Sequence, residues 1–526
     1  MQLFGDFGFV GGADQTASPY QDNQVCINWY PELAASSRAK VAVALLGCPG
    51  LIQLTGATLP PLGTAWPQPS AVTNLPVRGL WVLPGALSAL VVVGDLCYLA
   101  TVTTAPTAAA GAMIGLTQVG VLQTSSGPVA IRDDGLGGYA VLVDGPNGYL
   151  YNGATQVFTQ ITDPAFLGSN TVAFIDGWWV FNQPGTQTFY TNSAPYAITF
   201  NASYFANKDS ASDKLVGLIE SKEELWLIGE RTTEVWYNAG GAYFPFQRLV
   251  GTLMQVGCRA VYSIVRTQAV GQDSITWFGR SERGENVVVR TQGFEAEVIS
   301  TPAVSQAIAQ YPVTSDAVGY AYQEAGHQFY VLTFPTADRT WVFDASVPPE
   351  FAWHQRLSYD PYAQVFHRHR SNAFMNFAGM RVVGDYQNGA LYQLTRSAYT
   401  DAGWPILSRR RAPYVWDSEA ATAQSRADSP RGRVFMASLQ LEFAPGQGTS
   451  TGLGANPVAN LRISRDGTTF GQQWPAPMGQ QGQFKTRTLW RRLGCGRQNL
   501  FEVEVIAPVN RDLLGATLKA FSEGAA

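Results

Sequence analysis

The sequence predicts an all-β protein, a β-propeller of six or seven blades with a smaller β-sandwich after it. Three observations lead there. A hairpin-like unit recurs seven times along the chain. The 53 glycines and 30 prolines are spread throughout, as many short strands need many turns. At 526 residues with 46% hydrophobic content, the chain exceeds one ordinary core unless the architecture is large and closed.

Each unit is a β run, a turn holding Gly, Pro, Asn or Asp, and a second β run ending in aromatics. The copies are Ala89–Ala100, Tyr139–Gly153, Trp178–Ser193, Leu225–Gly240, Ile275–Gln292, Gln328–Ser346 and Met380–Thr395. From the second onward they recur at roughly 40–55 residues, close to the ~40–50 of propeller blades. A further β run precedes most of them, as in Val172-Ala173-Phe174-Ile175, and supplies the inner part of the same blade. One such sheet cannot bury both its faces, whereas a ring of them packs face against face. A string of independent sandwiches is disfavoured, since no linker between copies is long enough to separate domains.

Residues 71–398 are therefore assigned to the propeller. Residues 1–70 lack the repeat and carry turn signals at Tyr30-Pro31-Glu32 and Cys48-Pro49-Gly50. Residues 399–432 read as an Arg-containing connection without periodicity, and 433–526 as the sandwich. In its last strand Phe501, Val503 and Val505 share one face, with Glu502 and Glu504 on the other. A hairpin of Arg487–Gly494 with Leu500–Ala507 would set Arg491 opposite Glu502 and Trp490 opposite Val503.

Charge is sparse. Only 14% of residues are Asp, Glu, Lys or Arg, against about 25% in ordinary domains. Such a chain either hides much of its surface in an assembly or covers it with Gln, Asn, Ser and Thr. A net charge of −4 gives no reason to expect tight general DNA binding, which needs a strong basic stripe. Five dispersed cysteines without CxxC spacing predict free thiols in a reducing compartment. Neither a signal peptide nor a membrane-spanning run is visible, so a cytoplasmic origin is expected.

The search for chemistry yields no catalytic set, no metal set and no cofactor motif. His367-Arg368-His369 places two imidazoles on one strand face, but Arg368 and Arg370 would repel a cation and no carboxylate sits at ligand spacing. Asp6-Phe7-Gly8 lacks the rest of a kinase signature. Ser464-Arg465-Asp466-Gly467-Thr468-Thr469-Phe470 is similar to a sialidase Asp-box, yet a hairpin glycine explains it. Asp133, Asp134 and Asp144 precede glycines in Asx-turn contexts. The basic clusters are Arg409-Arg410-Arg411 and the stretch Lys485–Arg492, with Arg487, Arg491 and Arg492. They suit a phosphate backbone or an acidic partner, or else pairing with local carboxylates such as Glu502.

Two ends of the chain carry a family resemblance. Ser464–Gly471 follows the pattern S-x-D-G-x-x-F/Y-G, and Leu489–Gly494 the pattern L-W-[KR]-R-[LV]-G. Ile27-Asn28-Trp29-Tyr30-Pro31-Glu32 followed by Cys48-Pro49-Gly50-Leu51 resembles the opening of the same family. These stretches, about a fifth of the chain, resemble the packaged-DNA stabilisation proteins, or tail accessory factors, of short-tailed Salmonella-type phages. The resemblance implies a virion tail hub or nozzle assembled in the host cytoplasm. It implies a homo-hexameric ring below the head-to-tail adaptor, neighbouring fibre, spike or needle proteins, and double-stranded DNA passing through the lumen. It also implies a platform built by the terminal segments. On this reading the lumen is neutral or weakly acidic, and Arg409, Arg410, Arg411, Arg487, Arg491 and Arg492 serve subunit or adaptor contacts. The competing expectations are a carbohydrate-binding propeller, as a lectin or receptor-binding protein, and a propeller glycosidase with paired carboxylates.

Overall fold

The computed structural model describes residues 2–4, 7–36, 39–55, 75–104, 113–241, 244–269, 271–281, 284–416 and 432–522. Seven antiparallel sheets follow one another through the middle of the chain. Sheet I spans residues 77–121, sheet II 130–160, sheet III 172–207 and sheet IV 215–248. Sheet V spans 257–298, sheet VI begins with 318–355, and sheet VII holds 371–395. Each of the seven hairpin units supplies the second and third strands of one sheet. Consecutive sheets touch from sheet I to sheet VII, and Ser371–Phe377 of sheet VII returns to Val77–Val82 of sheet I. That closes the succession.

The hydrophobic pattern shows why closure is needed. In Ser88–Val93, Ala89 and Val91 join a core with Phe377 and Val382 of sheet VII, while Leu90 and Val92 join another with Leu142 and Tyr149 of sheet II. Both faces are buried, so the strand is apolar at every position from Ala89 to Val93 instead of alternating. Corresponding clusters lie between sheets II and III around Val141 and Phe181, between III and IV around Phe189 and Trp236, and between IV and V around Trp226 and Trp277.

The fourth strand of sheet VII comes from the other end of the chain. Gly50–Gln53 pairs antiparallel with Leu391–Thr395, from Tyr392 opposite Gln53 to Thr395 opposite Gly50. A side chain at Gly50 would put its Cβ 2.5 Å from the Thr400 carbonyl oxygen and 2.6 Å from that of Ala398. Part of the segment 1–70, expected to lie outside the propeller, is thus a propeller strand. Residues 56–70 lie outside the described residues.

The sandwich is likewise built by both ends. One sheet runs Trp29–Leu33, Val43–Gly47, Leu513–Ser522, Val434–Phe443, Thr488–Gly496, with Gln2–Phe4 beside Leu513–Ser522. The other continues sheet VI beyond Trp353–Gln355 through Asn23–Ile27, Ser408–Arg411, Leu500–Val505, Val458–Ser464 and Trp474–Pro477. Leu439, Leu441, Leu461, Phe501, Val503, Val505 and Leu518 belong to their shared core. Propeller and sandwich therefore share one continuous sheet.

Two expectations need correction. Thr488–Gly496 pairs with Val434–Phe443, not with Leu500–Val505, so Arg491 stands opposite Ser438 and Trp490 opposite Leu439. Glu502 instead faces Arg411 on one side and Arg462 on the other. Residues 399–432 are also not a plain connection. Thr400–Asp401, Trp404–Pro405 and Ser408–Arg411 are strands, the last lying between Asn23–Ile27 and Leu500–Val505, while 417–431 lie outside the described residues.

Candidate functional site

The arginines singled out from the sequence fall into two sets. Ser408–Arg411 alternates in the usual way of a strand, so Arg409 and Arg411 share one face and Arg410 the opposite one. Arg410 points inward and is fully buried. Its guanidinium donates to the carbonyls of Phe9 at 2.6 Å, Gly12 at 2.6 Å, Gly8 at 3.2 Å and Val25 at 3.3 Å, and to Gln24 Oε1 at 2.7 Å. A planar fork of five N–H donors suits such a set of acceptors, which a lysine could not reach together.

On the other face the register sets arginines against carboxylates. Arg411 Nη2 lies 2.7 Å from Glu502 Oε2, and Arg409 Nη2 lies 2.6 Å from Glu504 Oε1. Arg462, from the strand on the far side, bonds both Glu502 and Glu504. Glu502 is fully buried, and Phe470 sits beneath two of the guanidiniums, 4.7 Å from Arg411 and 5.6 Å from Arg462. Arg411 also donates to Asn23 Oδ1 at 2.8 Å. The first basic cluster is thus a clasp that holds the N-terminal segment against the C-terminal sandwich.

The second cluster is disposed differently. Arg487, Arg491 and Arg492 are exposed, as are Lys485, Arg497 and Lys519. None of the three arginines forms an ion pair among the described residues, where Lys40–Glu442 is the bridge on the same sheet. They lie along Thr488–Gly496 and the turn before it, at the edge of the first sandwich sheet. Arg492 has φ of +59° and Gly494 +82°, where the register with Val434–Phe443 shifts. This bulge turns two successive arginines outward and disrupts the edge.

The motifs behind the resemblance are junctions in the structure. Asn28, with φ of +56°, donates from Nδ2 to the carbonyls of Leu357 and Leu407 at 2.8 Å each, and its Oδ1 accepts from Leu357 N at 2.9 Å. Asp466 Oδ1 accepts from the backbone of Thr468 at 2.9 Å and Thr469 at 2.7 Å, with Gly467 at φ +85°. That is a turn, as a glycine-bearing hairpin requires. Asp134 closes an Asx turn in the same way, accepting from the backbone of Leu136 and Gly137 at 2.9 Å. His367 bonds Asp338 at 2.7 Å and His369 bonds Ser371 at 2.7 Å, so the two imidazoles have separate partners. Among the described residues no cluster could hold a metal ion, and no helix is long and apolar enough to cross a membrane.

Sequence reasoning did not find a further junction, at His327. Its Nδ1 lies 2.6 Å from Asp344 Oδ2 within sheet VI, and its Nε2 bonds Glu32 of the N-terminal strand. Burial opposes the imidazolium, but the hydrogen bonds and charges of Asp344 and Glu32 outweigh it and raise its pKa above the ordinary value. A raised folded value means that the contribution is complete below about pH 6.5 and is lost as pH rises through the folded pKa. His354 and His369 act oppositely. Burial, with the charge of Arg356, holds both neutral, so they lower stability as pH falls below about 6.5. The expected result is that His327→Gln lowers thermal stability most below pH 6.5, with the gap to wild type narrowing as pH rises. Paired melts across pH 5–9 check this, and a constant gap would show that a protonated His327 does not bridge Glu32 and Asp344.

Propeller, shared sheet and clasp define the class, a propeller joined to a β-sandwich that both chain ends complete. Residues 115–399 match the family model described as Bacteriophage P22 Gp10, beta-propeller, and residues 424–520 match Bacteriophage P22 Gp10, beta-sandwich. The first match alone covers more than half of the chain, which belongs to the bacteriophage P22 Gp10 family and is a phage tail structural protein. A search of the curated proteins returned no match. Among solved structures, PorZ, a bacterial surface component of the type-IX secretion system of Porphyromonas gingivalis, is similar at 11% identity with a TM-score of 0.35. The likeness covers 63% of this chain and 38% of PorZ, so the chain spans well under half of that protein's length.

Proposed function

We propose that this chain forms a homo-hexameric tail hub below the head-to-tail adaptor, extends the DNA channel and helps retain the packaged genome. The observation that carries the reading is the division of the arginines. Arg409, Arg410 and Arg411 are spent inside the chain, while Arg487, Arg491 and Arg492 stand outward on the sandwich edge without an ion pair among the described residues. An exposed cationic edge on a chain of net charge −4 fits an acidic surface on the adaptor or on the next subunit. Identical chains meeting through heterologous surfaces close into a ring under six-fold rotation. The shared sheet supports the same reading, because a rigid joint between sandwich and propeller transmits the docking geometry to the channel.

No bond is broken in this role. DNA slides through a neutral or weakly acidic lumen, fibre, spike or needle proteins join the hub, and assembly takes place in the host cytoplasm. The test is the native mass of the purified chain, alone and mixed with adaptor rings. Wild type is expected to load six copies on an adaptor ring. The triple variant R487E/R491E/R492E is expected to lose at least ten-fold in adaptor affinity with an unchanged melting temperature, since all three side chains are exposed. A wild-type chain that stays monomeric and ignores the adaptor would overturn the proposal.

A further inference from the structure

A cavity of about 320 Å³ opens where sheets V, VI and VII meet, remote in sequence from the clasp and from the cationic edge. Its size falls in the lower range of small-molecule sites, about 300–1,000 Å³. Phe343, 7% exposed, lies among its walls, and the Arg290 guanidinium stands 5.8 Å from that ring. The rest of the lining is rich in carboxamides. Gln323 Nε2 donates to Gln268 Oε1 at 2.6 Å, and the other end of each amide has no partner among the described residues. Gln328 also lines the cavity, and its Oε1 is buried without a hydrogen-bond partner among the described residues. A buried acceptor left unpaired is unfavourable, so a ligand donor there would be favoured.

Charge decides the ligand class. Arg290 is paired with Glu297 at 2.7 Å, Arg266 with Glu220 at 2.9 Å, and Asp273 adds a further carboxylate. Glu220 also pairs with Arg132, so three guanidiniums meet three carboxylates and no surplus positive charge is left for an anion. Amides at the rim, a buried acceptor without a partner and balanced charge call for a neutral molecule dense in hydroxyls, each able to donate and accept. We propose that this cavity binds a neutral pyranose, such as one residue of a glycan.

The proposal does not depend on ring assembly, since binding is read on the purified chain in whatever oligomeric state it adopts. Methyl α-glycosides of glucose, galactose and mannose are titrated by saturation-transfer NMR and calorimetry, with glucuronate as the charged comparison. At least one neutral glycoside is expected to bind saturably and more tightly than glucuronate, with affinity at least ten-fold lower in Gln328→Ala. Asn376 and Gln323 are exposed on the cavity rim, so Asn376→Ala and Gln323→Ala keep the fold and carry the test should Gln328→Ala fail to fold. Three results would each overturn the assignment: no binding of any of the three glycosides, tighter binding of glucuronate, or affinity unchanged in every folded variant.

Discussion

Arg410→Leu is expected to destabilise the sandwich by about 3–5 kcal/mol and to free the N-terminal segment from it. The replacement removes the Arg410 donors from the carbonyls of Gly8, Phe9, Gly12 and Val25 and from Gln24, and of these Phe9, Gly12 and Val25 are buried where solvent cannot take over. Leucine fills part of the volume but satisfies none of the acceptors. Hydrogen exchange is the direct readout, because residues 8–12 and 23–27 should lose protection ahead of sheets I to V. Arg410→Lys separates charge from geometry. An ammonium keeps the charge yet cannot span five acceptors, so an intermediate loss is expected. Unchanged protection at residues 8–12 in Arg410→Leu would show that the clasp does not hold them.

The second large effect is expected at Glu502. Glu502→Ala removes the fully buried carboxylate between Arg411 and Arg462 and leaves two partly buried guanidiniums without their main partner. Loss of one member of a buried pair costs about 3–5 kcal/mol, whereas an exposed bridge contributes about 0–1. The exposed Lys40–Glu442 bridge is therefore the internal control, with Glu442→Ala expected to change little. Glu504→Ala should fall between them, since Arg409 retains a more distant contact with Glu502 at 3.9 Å. Thermal melts of the three variants check the order. Equal losses at Glu502 and Glu442 would contradict the burial argument.

These variants also bear on assembly. The cationic edge belongs to a sheet containing Trp29–Leu33 and Val43–Gly47, and the clasp holds the neighbouring strand Asn23–Ile27. A loosened clasp should therefore weaken docking without touching Arg487, Arg491 or Arg492. The triple charge reversal should do the converse, weakening docking with the fold intact.

The seven hairpins were legible because each follows local rules. Turn residues at fixed offsets and apolar runs are properties of neighbouring residues, and every expected unit became the second and third strands of a sheet. The Phe501, Val503 and Val505 face was legible for the same reason, since a period of two lies within one strand. Charge alternation in Arg409 and Arg411 and in Glu502 and Glu504 was visible too, but it could not say which strands meet. Partner choice between Arg411 and Glu502 spans 91 residues, and between Arg410 and Gly8 402 residues. No local periodicity encodes a contact at that separation. The nearest carboxylate in sequence made a hairpin with Arg491 look natural, whereas sandwich packing placed Val434–Phe443 there instead. Strand chemistry along the chain was thus determined by the residues themselves. Which strand closes sheet VII, which arginines are buried and which remain outward were decided only when two distant chain ends met in one core, because burial is a property of the assembled whole.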